Sequence, residues 1–358
     1  MKNLYCFTMV ACLLAWQAVQ AQPERVGQAG ALELMINSMP RSSGFNGINL
    51  GSSAGIESAQ VNPGGVGTTR GTELLFSHTA WLMGSDIQIN TFGFSQRLGL
   101  SDGVLGVSVA AFSLGQFVRT TVDQPDGSLG TFSPTMLNVG LTYARQFTDH
   151  IYVGLTARVV HNSTPEVQAN GVSFDAGIQY RSGEKDRIKL GIALRNTGPP
   201  MRFAGDGLAG RVKIQPNNPF TTTTNLPTAK FELPTVLSMG GSYDFFLGNS
   251  NTITILVAFI SNSFYYNQGG IGLAYKYKEY VIFRGSFLYE KGIFGSIFDT
   301  RYTAFTGPSM GATFQIPFKT GKLNVEGIPV MSTFSFDASY RFTNPFGGTL
   351  VLGARIDI

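Results

Sequence analysis

Residues Thr333 to Ile358 read TFSFDASYRFTNPFGGTLVLGARIDI. In the first arm Phe334, Phe336, Ala338, Tyr340 and Phe342 alternate with Thr333, Ser335, Asp337, Ser339 and Arg341. A period of two gives a strand one apolar and one polar face. Beyond the turn at 343–348, Leu350, Leu352, Ala354, Ile356 and Ile358 alternate with Thr349, Val351, Gly353, Arg355 and Asp357. A last strand left as an open edge would recruit other chains, so it needs a partner. The simplest partner is the first strand, and that pairing closes a barrel. A soluble β-sandwich alternates in the same way, so the rest of the chain has to decide.

The opening MKNLYCFTMVACLLAWQAVQA has a basic residue, Lys2, then a short apolar run and a small-residue site at Val19-Gln20-Ala21. That is the pattern of a secretory signal over residues 1–21, too short to span a bilayer. Cys6 and Cys12, the only cysteines, lie within it, so the exported chain is expected to have no disulfide, thiolate metal site or cysteine nucleophile. Charged residues make up 13% of the chain, against roughly 25% in soluble domains. Glycine (44) and phenylalanine (28) are abundant. No later stretch reaches the roughly 18 apolar residues of a membrane helix; a membrane-resident chain of this composition crosses with strands. Without Lys2 there are 25 basic and 22 acidic residues, a balance with no leaning toward nucleic acid.

Residues 22–70 lack alternation and are dense in Gly, Ser and Asn, yet carry spaced apolar residues such as Leu34, Ile36, Ile48, Leu50 and Ile56. Alternating segments then begin near Thr72, Asp86, Gly103, Met136, Ile151, Val172, Arg187, Thr235, Thr252, Gly270, Tyr280, Ser309, Thr333 and Thr349. About fourteen strands is an even number, as bacterial barrels use. Two segments change phase midway, at Ile89/Phe92 and Val109/Phe112, and are read as bulges or misplaced strand ends. Short connections (100–102, 148–150, 183–186, 248–250, 278–279) alternate with longer ones (115–134, 161–171, 196–234, 261–268, 290–308). Outer-membrane barrels have that rhythm and sandwiches have no cause for it. The connection from Lys319 to Met331 breaks it, with a hairpin extension as one explanation.

The expected architecture is therefore all-β: a transmembrane antiparallel β-barrel of about 14 strands over residues 71–358, with an N-terminal hatch or plug over 22–70. Arg158, Asp175, Gln179, Arg181, Lys189, Arg195, Asp337, Arg341, Arg355 and Asp357 are assigned to the inward face. Mixed signs there pair with each other or bind a plug more readily than they line a selective pore. No catalytic set emerges: His78, His150 and His161 are scattered, and His161-Asn162-Ser163, being consecutive, cannot form a nucleophile relay. Gly269 to Gly272 and Gly307 to Gly311 lack a phosphate-cradle context and read as ordinary turn and strand glycines. No enzyme activity, metal or cofactor is expected. Trp81, Met201, Phe203, Phe220 and Phe231 are the expected outer-loop contacts for a partner.

Ala29-Gly30-Ala31-Leu32-Glu33-Leu34-Met35-Ile36, then Arg41-Ser42-Ser43-Gly44-Phe45, then Asn62-Pro63-Gly64-Gly65, resemble the hatch of the PorV/PorQ family. The likeness continues through Ser77 to Leu82, Phe112 to Gly115, Leu194 to Pro199 and Leu233 to Gly241, and is nearer the PorV branch. Met39-Pro40, Phe45-Asn46 and Val61 depart from the family pattern. The resemblance implies a barrel related to the FadL fatty-acid channels, serving type IX secretion in Bacteroidota. Its implied partners are the translocon, attachment-complex proteins, cargo C-terminal signal domains and outer-membrane lipid or lipopolysaccharide. It marks Arg41, Gly44, Asn62, Pro63 and Gly64 as the hatch motif. A FadL-like channel for hydrophobic molecules is the alternative.

Overall fold

A computed structural model describes residues 25–99, 103–213, 221–248, 250–295, 303, 306–323, 329–343 and 346–358. The expected signal segment and Phe220 lie outside them. Fourteen long strands run up and down: β1 (Thr72–Trp81), β2 (Ile87–Arg97), β3 (Gly103–Ser113), β4 (Thr135–Thr148), β5 (Ile151–Ser163), β6 (Gln168–Ser182) and β7 (Ile188–Thr197) form the first half. The second half is β8 (Val236–Leu247), β9 (Asn251–Asn262), β10 (Gln268–Tyr277), β11 (Val281–Glu290), β12 (Gly307–Leu323), β13 (Pro329–Arg341) and β14 (Thr349–Asp357). Each pairs antiparallel with its sequence neighbours, and β14 pairs with β1 from Glu73↔Asp357 to Ala80↔Leu350. The sheet is a closed barrel with no free edge, the one sheet form that satisfies every backbone group in lipid. A two-residue strand, Phe203–Ala204, is annexed to the upper end of β6.

The two faces are inverted relative to a soluble fold. Phe76, Leu155, Ile271 and Phe336 point outward and are exposed, while Ser77, Thr156, Asp337 and Ser339 are buried. A sandwich would bury the apolar face, so this pattern disposes of that alternative and suits a bilayer outside.

The wall departs from the sequence reading in several places. The ladders β1–β2 and β2–β3 run without a register shift, so there is no bulge at either phase change. What changes is the chemistry of the inward face: Ser95 and Thr91 give way to Ile89, and Ser108 to Ala110 and Phe112, all buried. The stretch 161–171 is not a long loop; β5 and β6 continue to Ser163 and Gln168, leaving only 164–167 between them. Its polar residues hid the alternation: His161 Nδ1 lies 2.5 Å from Asn170 Oδ1 across the ladder. The long connection after Lys319 is a hairpin extension, with Leu323 paired to Pro329 after a register shift.

Inside the wall lies the segment from Ala31 to Thr69, short turns and helical pieces that are mostly buried. Strands from all sides hydrogen-bond it. Ser77 Oγ of β1 donates to Ser38 O (2.9 Å), and Gln179 Nε2 of β6 donates to Leu50 O (2.9 Å). Ser309 Oγ of β12 donates to Gly44 O (2.9 Å), and Arg341 Nη2 of β13 to Ser43 Oγ (2.9 Å). Its apolar residues complete the core: Met39, Ile56, Ala59 and Val66 pack on Leu75, Val104 and Ala144, and Ile48 on Val236, Leu256 and Leu288.

The inward glycines are what permit this. A Cβ at Gly177 would overlap Asn62 Oδ1, one at Gly154 the Pro63 carbonyl, and one at Gly191 the Leu50 carbonyl. Gly270 and Gly272 likewise make room for Ile48, and Gly311 for the Arg284 stem, so these are not the ordinary strand glycines that the sequence suggested. They are close-approach positions.

Two outcomes follow. Arg355→Met strands the buried Glu73 carboxylate, whose Oε1 it holds at 2.9 Å across the closing seam. We expect a loss of about 3–5 kcal/mol, partly recovered by adding Glu73→Leu, read from thermal unfolding in detergent. Gly191→Val drives a side chain into the Leu50 backbone at a cost of about 1–3 kcal/mol. Limited proteolysis should then cleave within residues 45–66, which are protected in the parent.

Candidate functional site

The strand ends at Trp81, Ser113, Ser163 and Thr197 share one end of the barrel with the long connections 114–134 and 198–235. Here the apolar inward positions enclose a cavity of about 500 Å³. Trp81, Ile87, Phe112, Leu114 and Met136 are part of its wall, Phe203 and Phe231 of the long loop its far side, and residues 27–33 with Ile36 a third side. A largely apolar, concave space of this size is what small-molecule sites look like.

The loop side is fixed by pairing rather than by packing alone. Met201 N donates to Phe231 O (2.9 Å) and Phe231 N to Met201 O (2.8 Å), placing the Phe203 and Phe231 rings 5.5 Å apart. Gly30 N donates to Glu232 O (3.1 Å), and the missing Cβ at Gly30 leaves space for the Phe231 ring. Arg25 Nη2 reaches Glu232 Oε2 at 2.7 Å, and its guanidinium lies 4.3 Å from the Phe264 ring centroid.

Three polar side chains interrupt this lining: Gln28, which is exposed, and Glu33 and Asn162, both more than nine-tenths buried. Burial pushes the Glu33 carboxyl above the usual carboxylate range, opposed by its own backbone N–H and by the Asn162 amide. Glu33 Oε1 and Asn162 Oδ1 have no hydrogen-bond partner among the described residues.

The opposite end of the lumen is different. A cavity of about 450 Å³ is lined by Arg41, Glu57, Lys189, Asp244, Arg284 and Arg355 among others. Lys189 Nζ and Asp244 Oδ2 lie 2.5 Å apart, Arg41 Nε and Asp337 Oδ1 2.9 Å. Pairs of opposite sign across a lumen cancel one another's field and make a poor selective ion path.

Of the motif residues, Arg41 is the ion-pair partner of Asp337, and Gly44 lies close to the Arg284 stem. Asn62 is a crossing point: its Nδ2 donates to Leu50 O (3.0 Å) and Ile178 O (2.9 Å), while its Oδ1 accepts from Gly64 N (3.1 Å). Pro63 and Gly64 then pass against Gly154 and Gly177. Among the residues expected on a partner surface, Trp81 and Met201 are buried, and Phe203 and Phe231 are half-buried and face the cavity. They are drawn together, but inward, because backbone pairing folds the loop over the barrel mouth.

The residues that the sequence reading passed over are Glu33, Ile87, Phe112, Met136 and Asn162. The signal for Ile87 and Phe112 was the phase change in β2 and β3. His78 and His161 bond Asn90 (2.8 Å) and Asn170 across the outer face, and His150 stands 6.1 Å from the Tyr180 ring.

No family model and no curated sequence matches this chain. Among solved structures, it is similar to the Pseudomonas putida toluene transporter TodX, at 13% identity and TM-score 0.51, over 88% of this chain and 96% of that one. The Ralstonia pickettii toluene transporter TbuX (15%, TM-score 0.49, 88% and 96%) and a Pseudomonas aeruginosa FadL homologue (11%, TM-score 0.48, 88% and 98%) are also similar. The likeness to TodX bears on the fold alone, a closed antiparallel β-barrel of the same kind.

Proposed function

We propose that this protein is an outer-membrane channel for apolar small molecules, entered from the long-loop end. The apolar cavity beneath Phe203 and Phe231 carries this reading. A hydrocarbon gains roughly 25 cal/mol for each Å² it removes from water, and this is the part of the lumen where several apolar walls can supply that burial together. Residues 31–69 act as the plug, since they fill much of the lumen below the cavity, where gaps of about 20 Å³ beside Glu33, Ile36 and Arg158 and about 60 Å³ beside Asn37, Asn46 and Arg341 remain. Passage then requires the plug to shift at its hydrogen bonds to the wall. The fold of the toluene transporter TodX supports the same reading.

A second reading rests on the resemblance to the PorV/PorQ family and on one observation. Phe117, Val118, Val122 and Leu129 project from the 114–134 connection and are exposed, an apolar surface suited to a protein partner. Under that reading, cargo C-terminal signal domains of type IX secretion, passing from translocon to attachment complex, dock there. Capture of such proteins from solubilised outer membranes, and its loss when 117–129 is replaced by Gly and Ser, is the expected result. Capture unchanged by the replacement would remove it.

For the channel, Phe112→Arg puts a guanidinium into the cavity. Cells carrying that variant should take up radiolabelled toluene no faster than cells without the protein, while the parent speeds uptake severalfold. Equal uptake by parent and variant would count against the cavity as the route.

A further inference from the structure

The plug is held unevenly around the barrel. Strands β1, β6, β7, β12 and β13 reach it with hydrogen bonds, from Ser77, Gln179, Arg195, Ser309 and Arg341. Among the described residues, β8, β9 and β10 make no hydrogen bond or ion pair to residues 31–69. Contact there is a cluster of apolar side chains, Ile48 of the plug against Val236, Leu256, Ile260 and Leu288, with Phe45 and Met35 packed beside them. Polar ties resume on either side of this patch. On one side Asn196 of β7 donates to Leu34 O (3.4 Å); on the other, Asn46 Nδ2 donates to Ser286 Oγ (3.3 Å) on β11 and Gly307 O (2.9 Å) on β12.

Empty space lies on both sides of Ile48. Above it, Gly47, Val236, Ile260 and Leu288 border the gap of about 60 Å³. Below it, Phe45, Asn49 and Leu256 border the cavity of about 450 Å³ at the short-turn end. Met35 and Asn37 line the upper gap while Glu33 and Ile36 line the loop-end cavity, so one run of chain borders both.

We propose that apolar cargo crosses the plug along this seam, between residues 45–49 and strands β8 to β10, with the Ile48 side chain as the gate. The inference rests on the channel reading and gives it a route. Where the plug is hydrogen-bonded to the wall, a shift strands buried polar groups, which is the expensive case. At the seam the contact is apolar and without direction, and a hydrocarbon guest replaces the lost contacts with its own surface. The wall from β3 to β5 also packs on the plug, but there the fit is closed. The Pro63 carbonyl lies against Gly154, Ile56 and Val66 lie against Gly106, and the gap is about 20 Å³. Opening that side moves plug backbone; opening the seam needs one side chain to turn.

The chain has no cysteine beyond the expected leader, so paired cysteines can pin the plug at chosen points. A Cβ at Gly270 would lie 3.4 Å from Ile48 Cβ, and one at Gly93 would lie 3.6 Å from Ile56 Cβ, close to the roughly 3.5–4.5 Å that a disulfide spans. Ile48→Cys/Gly270→Cys therefore ties the gate to β10, and Ile56→Cys/Gly93→Cys ties the plug to β2. Cells carrying each protein are assayed for radiolabelled toluene uptake, oxidised and again after dithiothreitol, with thiol labelling of the denatured protein reporting closure of the disulfide. The first lock, oxidised, should lower uptake to that of cells without the protein, and dithiothreitol should restore the parental rate. The second should keep the parental rate in both states. Ile48→Ala, which needs no cross-link, should speed uptake severalfold, whereas Ile56→Ala should not. Unchanged uptake with the first lock closed, equal loss with the second, or parental uptake by Ile48→Ala overturns the seam while leaving the channel reading intact. A parent that adds nothing to uptake overturns both.

Discussion

A wall of fourteen strands encloses more space than its own side chains can fill, and this wall turns Ser, Thr, Asp and Arg into that space. Such a lumen is stable only if its polar groups find partners or water. The chain answers with its own N-terminal segment, whose backbone carbonyls accept from Ser77, Gln179, Arg195 and Ser309 on four strands. Backbone rather than side chains makes much of this contact, which demands close approach. That is why Gly154, Gly177 and Gly191 sit opposite Pro63, Asn62 and Leu50. Wall and segment are thus one packing unit, and the cavity at the loop end is what remains where the segment turns away.

Two chemistries divide the lumen along its length. Below, ionised groups are held in pairs of opposite sign, as at Arg41 and Asp337 or Lys189 and Asp244. Removing one partner from such a pair is costly, although the pair itself adds little. Above, inward positions become apolar and the long loop folds over them through the Met201–Phe231 bridge. The division gives the barrel a greasy mouth over a polar body.

Much of the wall was legible in the sequence because strand alternation survives wherever one face meets lipid and the other meets polar partners. Phe334 to Phe342 show this, and so does the closure of the last strand on the first. The candidate site was less legible for the same reason. Where the inward face turns apolar, as at Ile89 and Phe112, alternation changes phase and imitates a bulge. Near the loop end, His161 and Asn170 face outward, and a strand reads as a loop. Partners distant in sequence leave no local mark: nothing near Gly177 announces Asn62, and nothing near Asn162 announces Glu33. Trp81, Met201, Phe203 and Phe231 drew notice as large apolar residues near loops, but only the backbone bridge shows that they face inward.

The anchoring of Ser43 by Arg341, and of Arg41 by Asp337, joins some of the earliest residues of the barrel interior to its penultimate strand. A ribosome finishes the first pair member some three hundred residues before the second. Until that hairpin arrives, the threaded segment lacks those two clasps and the growing sheet has two bare margins, the slow, non-local kind of assembly that is prone to aggregation. Threading and sealing therefore have to be completed together, which makes the final hairpin the latch of biogenesis as well as a piece of wall.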